Sequence, residues 1–279
     1  MTLSQQGNGP AGRSTVERLV RRDRLIVFLA VTAIFMLAGV YTVLGVGMNM
    51  SALDMTRMAR PIGEPMMMGG RAVWTPTYAL LVVLMWWVMM IAMMTPSAAP
   101  TLLLFTALKR HGKDRLNAPL LGGLFLAGYL LCWAVFSVIA TALQWGLGNL
   151  GLISASMMTI SSRVLAGSVL IGAGLYQFSG LKNACLKHCR SPAHFLAGHN
   201  RPGRAGALLM GAHHGVYCLG CCWALMALLF VGGIMNLYWI VGLAAYAIAE
   251  KVLPHGETVS RIAGAAIAAA GAWVLLSAI

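Results

Sequence analysis

Charge is what this sequence has least of. Asp, Glu, Lys and Arg make up 10% of its 279 residues, against 59% hydrophobic ones. So few charges cannot coat a soluble domain, and the composition is that of a polytopic membrane protein. The chain contains no G-x-x-x-x-G-K-[ST] loop, which excludes ATP-driven pumping by this chain. It contains no internal repeat, which argues against an inverted-repeat transporter. A basic stretch with Arg13, Arg18, Arg21, Arg22 and Arg24 precedes the apolar run 25–47, but no small-x-small cleavage site follows. That run is too long for the apolar part of a signal peptide and is expected to stay as a first span.

What charge there is leans basic, with a net +13. Nucleic acid is rejected as the partner, because the Lys and Arg residues lie in short loops between apolar runs, where they set orientation. At roughly 20 apolar residues per crossing, the chain holds about seven helical spans. The expected spans are 25–47, 78–108, 117–143, 164–181, 206–231, 237–252 and 262–279, an all-α transmembrane bundle forming a single domain over 25–279. Residues 1–24 are expected to be a disordered basic segment. With the N-terminus inside, only Arg57, Arg60, Arg71 and Arg163 of the 20 Lys and Arg residues fall outside. That bias supports the orientation.

The stretch 208–236 reads LLMGAHHGVYCLGCCWALMALLFVGGIMN. It is long and apolar enough to cross a bilayer, yet it carries His213, His214, Cys218, Cys221 and Cys222. On a helix, His214, Cys218 and Cys222 are successively four apart, and Cys221 is three from Cys218. Neighbours at those spacings share a face, so the sequence predicts a stripe of imidazole and thiol running into the membrane. Gly211, Gly215 and Gly220 leave room for another backbone to approach, as small residues do between membrane helices.

Sulfur recurs elsewhere. In the second expected span, Met85, Met89 and Met93 are four apart, as are Met90 and Met94, ahead of Pro96 and Pro100. Methionine in a membrane helix is ordinarily packing; beside the cysteine helix, Met89, Met90, Met93 and Met94 become candidate thioether ligands. The preceding loop, 48–77, holds Met48, Met50, Met55, Met58, Met66, Met67 and Met68. It reads either as a lipid-skimming segment or as a loop that captures a soft metal. Cys132 stands alone and reads as a small hydrophobe.

A second cluster follows the fourth span in KNACLKHCRSP. Cys185, His188 and Cys189 lie three and four apart, with Lys182, Lys187 and Arg190 around them. Cations beside thiols favour thiolate, so these three read as a solvent-facing exchange site at the inner face.

The segments YQFSGLKNACLKHCRSP, RPGRAGALLMGAHHGVYCLGCCWALMALLFVGGIMN, EKVLP and MMIAMMTPSAAP together resemble a bacterial family described as predicted metal-binding integral membrane proteins, whose reaction is not established. The resemblance runs from about Trp86 to the C-terminus. It implies a metal and a multi-pass location in the bacterial inner membrane. By motif, His214, Cys218, Cys221 and Cys222 match the family's histidine–cysteine pattern, and Cys185 and Cys189 its loop cysteines.

Soft thiolate and thioether ligands favour Cu(I); zinc, which favours closed tetrahedral sites, ranks second. The leading expectation is a protein that binds Cu(I) and moves or delivers it across the membrane, with a metal-donor or metal-acceptor protein as partner and the bilayer as surroundings. Binding stands ahead of enzymatic activity. Two alternatives remain open. One is a thiol-redox enzyme using Cys218 and Cys221, although such a C-x-x-C ordinarily sits at a helix N-terminus. The other is an assembly subunit with a structural metal.

Overall fold

The computed structural model describes residues 10–46, 50–59, 61–62, 73–111, 115–154, 158–199 and 201–278. It is 84% helical, without strands among the described residues. In chain order the helices are α1 (Pro10–Leu44), α2 (Ala52–Arg57), α3 (Pro76–His111), α4 (Ala118–Asn149), α5 (Arg163–Tyr176), α6 (Gly180–Arg190), α7 (Pro192–Gly198), α8 (Gly203–Ala227), α9 (Leu229–Gly232), α10 (Leu237–Val252) and α11 (Gly256–Leu276).

Among the described residues, five helical stretches are long and apolar enough to cross a membrane: Val27–Leu44, Pro76–His111, Arg115–Asn149, Gly203–Gly232 and Gly256–Leu276. The pair α5 and α6, bent by 62° at their junction, makes a sixth if it is one broken span. The expected seventh, 237–252, is α10. Its 16 residues extend about 24 Å at 1.5 Å each, short of the roughly 30 Å hydrocarbon core. In the basic N-terminal segment, α1 begins at Pro10 and runs through the arginine positions. Residues 1–9 of that segment lie outside the described residues, as do Met48, Met66, Met67 and Met68 of the methionine-rich loop.

The largest local departure is after α5, where the sequence reads as a basic loop. Ser179 instead caps a new helix, its hydroxyl accepting from the Lys182 amide at 3.1 Å. The high charge of KNACLKHCR belongs to a helix with one buried face: Lys182, Cys185, Leu186 and Cys189 turn inward. The methionine-rich loop is also partly ordered. Its helix α2 buries Met55, and Thr56 Oγ1 accepts from the Leu237 amide at 2.9 Å, tying the loop to the start of α10.

α8 occupies the centre, packed against α4 on one side and α6 on the other, while α10 reaches α3, α6, α8 and α11. Close approach of α4 and α8 depends on glycine. Cβ atoms on Gly211 and Gly128 would collide with the carbonyl oxygens of Phe125 and Leu208 respectively. Of the glycines foreseen in the central helix, Gly211 thus faces backbone, while Gly215 and Gly220 face the side chains of Cys132 and Cys185. Gly233, at φ 99°, turns the chain from α9 toward α10.

Candidate metal centre

The spacing of α8 does place one face of sulfur in the core. Cys218, Cys221 and Cys222 are all buried, and so is His214 one turn earlier. Cys221 Sγ lies 3.2 Å from Cys222 Sγ and 3.1 Å from the Cys218 carbonyl oxygen. A fourth thiol comes from α6: Cys189 Sγ stands 4.0 Å from Cys221 Sγ. Cys218, one turn before Cys222, is buried in the same core as these three thiols. Four thiols from two helices therefore meet at one place.

The expected cluster of Cys185, His188 and Cys189 is thereby divided. Cys189 joins the α8 sulfurs. Cys185 is buried against Gly220, where an added Cβ would lie 2.6 Å from its Sγ. Neither thiol faces solvent, because α6 lies flat on α8. His188 turns elsewhere and stacks on Tyr217 with ring centroids 4.1 Å apart. It shares that flank of α8 with His199 and His213, whose rings lie 5.7 Å from each other. Nδ1 of His188 and Nδ1 of His199 each meet the carbonyl oxygen four residues back, Ala184 at 2.9 Å and Phe195 at 3.1 Å.

The cations around α6 are also committed away from its cysteines. Lys182 pairs with Glu250 at 2.6 Å, both side chains fully buried, and donates to Gln177 Oε1. Arg190 donates to the carbonyl oxygens of Leu253 and Pro254. The cation that does meet a thiol is Lys251 of α10: its Nζ donates to Cys218 Sγ at 3.1 Å and to Ser97 Oγ of α3 at 2.9 Å. Tyr129 of α4 completes the surroundings. Its hydroxyl donates to the Met94 carbonyl oxygen at 3.1 Å and lies 3.1 Å from Cys218 Sγ. Cys218 is thus met by an ammonium and a phenol, the setting of a charge-assisted hydrogen bond to sulfur.

Sequence reading missed Lys251, Tyr129 and Ser97. The signal for Lys251 was present as EKVLP, an acid–base pair closing an apolar run, and ionisable residues at membrane depth mark function by default. Nothing in the sequence signalled Tyr129.

His214 is 2% exposed, and its Nδ1 has no hydrogen-bond partner among the described residues. The rings of Phe125, Tyr129 and Phe195 surround it at 5.3 to 6.0 Å between centroids. Such a buried polar atom without a partner costs about 1–3 kcal/mol, a cost that a ligand at Nδ1 would remove.

Met89, Met90, Met93 and Met94 are buried in the same apolar core as the α8 thiols. α4 packs against both α3 and α8, and α3 reaches the cluster through Ser97 and the Met94 carbonyl. Met93 also lines an apolar cavity of about 500 Å³ between α1, α3 and α10.

Two thiolates on one ion at about 2.3 Å each, spread tetrahedrally, stand about 3.8 Å apart. The Cys189–Cys221 separation of 4.0 Å suits that geometry, and the Cys221–Cys222 separation of 3.2 Å is tighter. Among the described residues no group of three or more His, Cys, Asp and Glu stands ready to hold a metal ion. The sulfurs are gathered without being closed around a common centre. The donor types suit a soft monovalent cation.

Residues 83–274, about two thirds of the chain, match the family PpoB2, described as Copper chaperone. The chain belongs to this copper chaperone family. The matched region begins inside α3 and ends inside α11, so it includes every residue of the thiol cluster, with Lys251 and Tyr129. No curated protein and no solved structure matches the chain. Family membership supports copper handling, and the apolar helices are consistent with a membrane location.

Proposed function

We propose that the protein is a membrane-embedded copper chaperone that takes Cu(I) onto the buried thiols of α8 and α6 and delivers it to a partner protein. One observation carries this reading: Cys189 of α6 comes within 4.0 Å of Cys221 of α8 in a buried core shared with Cys218 and Cys222, all four as free thiols. Thiolate is the ligand that soft Cu(I) prefers, and two helices supply it where one straight helix cannot wrap an ion. His214, with its unpartnered Nδ1, is the nitrogen ligand available one turn away.

The rings of His188, His199 and His213 lie along the flank of α8 that runs up from the basic loop before it, the loop assigned inside from the Lys and Arg bias. Held by carbonyls at Nδ1, the imidazoles of His188 and His199 have Nε2 free to accept. Transfer to or from an inside donor or acceptor protein runs along this flank. The bacterial inner membrane, with the N-terminus inside, is the proposed location.

Purified protein in detergent, under reducing conditions, should bind Cu(I) in a sulfur-containing shell. Cys218→Ser and Cys221→Ser should each remove most of that binding, because a hydroxyl is a hard, poor ligand for Cu(I). Full Cu(I) affinity in both variants would refute the thiol site. Cysteine labelling after each loop tests the orientation: labelling of a cysteine introduced at Gly198 from outside would overturn it.

A further inference from the structure

Lys251 is a buried ammonium without a carboxylate partner among the described residues. Its neighbour on α10, Glu250, is taken by Lys182 and by the hydroxyl of Tyr246 at 2.7 Å. Facing Lys251 are Cys218 of α8, Ser97 of α3 and, near enough to act electrostatically, Cys189 of α6 with Cys221 and Cys222. The charge that balances this ammonium is therefore the charge of the sulfur cluster and of whatever ion it holds.

We propose that Lys251 selects the valence of the metal, making the thiol cluster a site for a monovalent cation in preference to a divalent one. This rests on the reading of the cluster as a copper site. The argument is charge arithmetic in a medium that tolerates little net charge. Cu(I) on two thiolates carries −1, and Lys251 brings the group to zero. Zn(II) on the same two thiolates is neutral, and Lys251 leaves +1 buried without a partner. With three thiolates the totals are −1 for Cu(I) and zero for Zn(II), so a neutral total favours Cu(I) only where two thiolates bind, while the direct repulsion from Lys251 keeps its direction in both cases. One fixed positive charge beside the ion opposes a divalent cation by one unit of charge more than a monovalent one.

The size follows from the distance. An ion about 2.3 Å from Cys218 Sγ lies no more than about 5.4 Å from Nζ, given the 3.1 Å contact between Nζ and that sulfur. One extra unit charge at that range, in an effective dielectric of about 20, is worth roughly a hundredfold in relative affinity. Lys251 also joins α10 to α3 and α8 through its two hydrogen bonds, so a purely structural part has to be separated from the electrostatic one.

The full chain in detergent would be titrated with Cu(I) against a Cu(I) chelator and, separately, with Zn(II) against a Zn(II) chelator. The ratio of the two affinities is the readout. In Lys251→Leu, which removes the charge without adding a sulfur ligand, the ratio should move roughly a hundredfold toward Zn(II). Lys251→Arg, which keeps the charge, should stay within a few-fold of wild type. A residue that only holds helices together would lower both affinities in parallel and leave the ratio unchanged, and that result overturns the proposal. Wild-type protein that holds Zn(II) as tightly as Cu(I) overturns it without recourse to any variant. Wild-type protein that binds no Cu(I) at all fails the copper-site reading itself, and the valence proposal falls with it.

Discussion

Glu250 and Lys251 are adjacent on α10, and they serve two buried polar clusters of opposite character. Glu250 meets Lys182 at 2.6 Å, with Tyr246 donating to the same carboxylate and Gln177 accepting from the lysine. Ser260 of α11 closes this first cluster, its hydroxyl donating to the Gln177 side chain at 3.3 Å. Charge is balanced there within the protein, across α6, α10 and α11. Lys251 meets only sulfur and hydroxyl, so its charge is balanced by the thiols. The first cluster fastens three helices. The second leaves its electrostatics to be settled by cargo. A buried charge paired with a buried charge reads as architecture, and one paired with ligand atoms reads as function.

Four sets of substitutions would break or sharpen that contrast, in falling order of effect. The largest belongs to the thiol cluster: Cys218→Ser should lower Cu(I) affinity by orders of magnitude while leaving the detergent-solubilised fold intact, measured by chelator competition and circular dichroism. Next is the ion pair. Lys182→Met or Glu250→Gln, by stranding one buried polar partner, should cost about 3–5 kcal/mol of stability, with Cu(I) affinity in the surviving folded protein near that of wild type. The double variant Lys182→Met/Glu250→Leu should recover much of the loss, as buried pairs replaced by apolar groups often do. Thermal unfolding followed with and without Cu(I) checks both statements. If Glu250→Gln abolished copper binding without unfolding, the division between the clusters would be wrong.

A smaller effect separates the two cysteines of α6. Cys189→Ser should weaken Cu(I) binding, since its sulfur lies 4.0 Å from that of Cys221. Cys185→Ser should leave affinity nearly unchanged, since that thiol packs over Gly220. Equal losses in the two variants would place Cys185 in the site as well. The smallest effect is expected at Met93 and Met94. Replacement of either by Leu conserves volume and typically costs under 1.5 kcal/mol. A change in the copper edge spectrum of either variant would assign thioether ligation to α3, and an unchanged spectrum would leave these methionines as packing.

These contrasts also show what the sequence made legible. The membrane helices and the sulfur stripe of α8 follow from local rules: apolar length for the first, and three- and four-residue spacing for the second. Gly211 and its neighbours announced a close helix contact for the same local reason. The arrival of Cys189 at Cys221 was hidden, because the charge density around it mimics a solvated loop. That density is absorbed by partners distant in sequence: Lys182 by Glu250, and Arg190 by the carbonyls after α10. Lys251 lies 33 residues beyond Cys218 on a different helix, so only the fold reveals their contact. The division of His188 from Cys189 was hidden likewise, since adjacent positions on α6 meet different neighbours once α8 packs against it.

The central claim is that the buried thiols hold copper, and X-ray absorption at the copper edge tests it most directly. Wild-type protein loaded with Cu(I) under reducing conditions should show a sulfur shell at about 2.2–2.3 Å, the range of metal–thiolate bonds, and Cys218→Ser should lose copper or change that shell. A shell of oxygen and nitrogen alone, or one identical in wild type and in Cys218→Ser, would contradict the account.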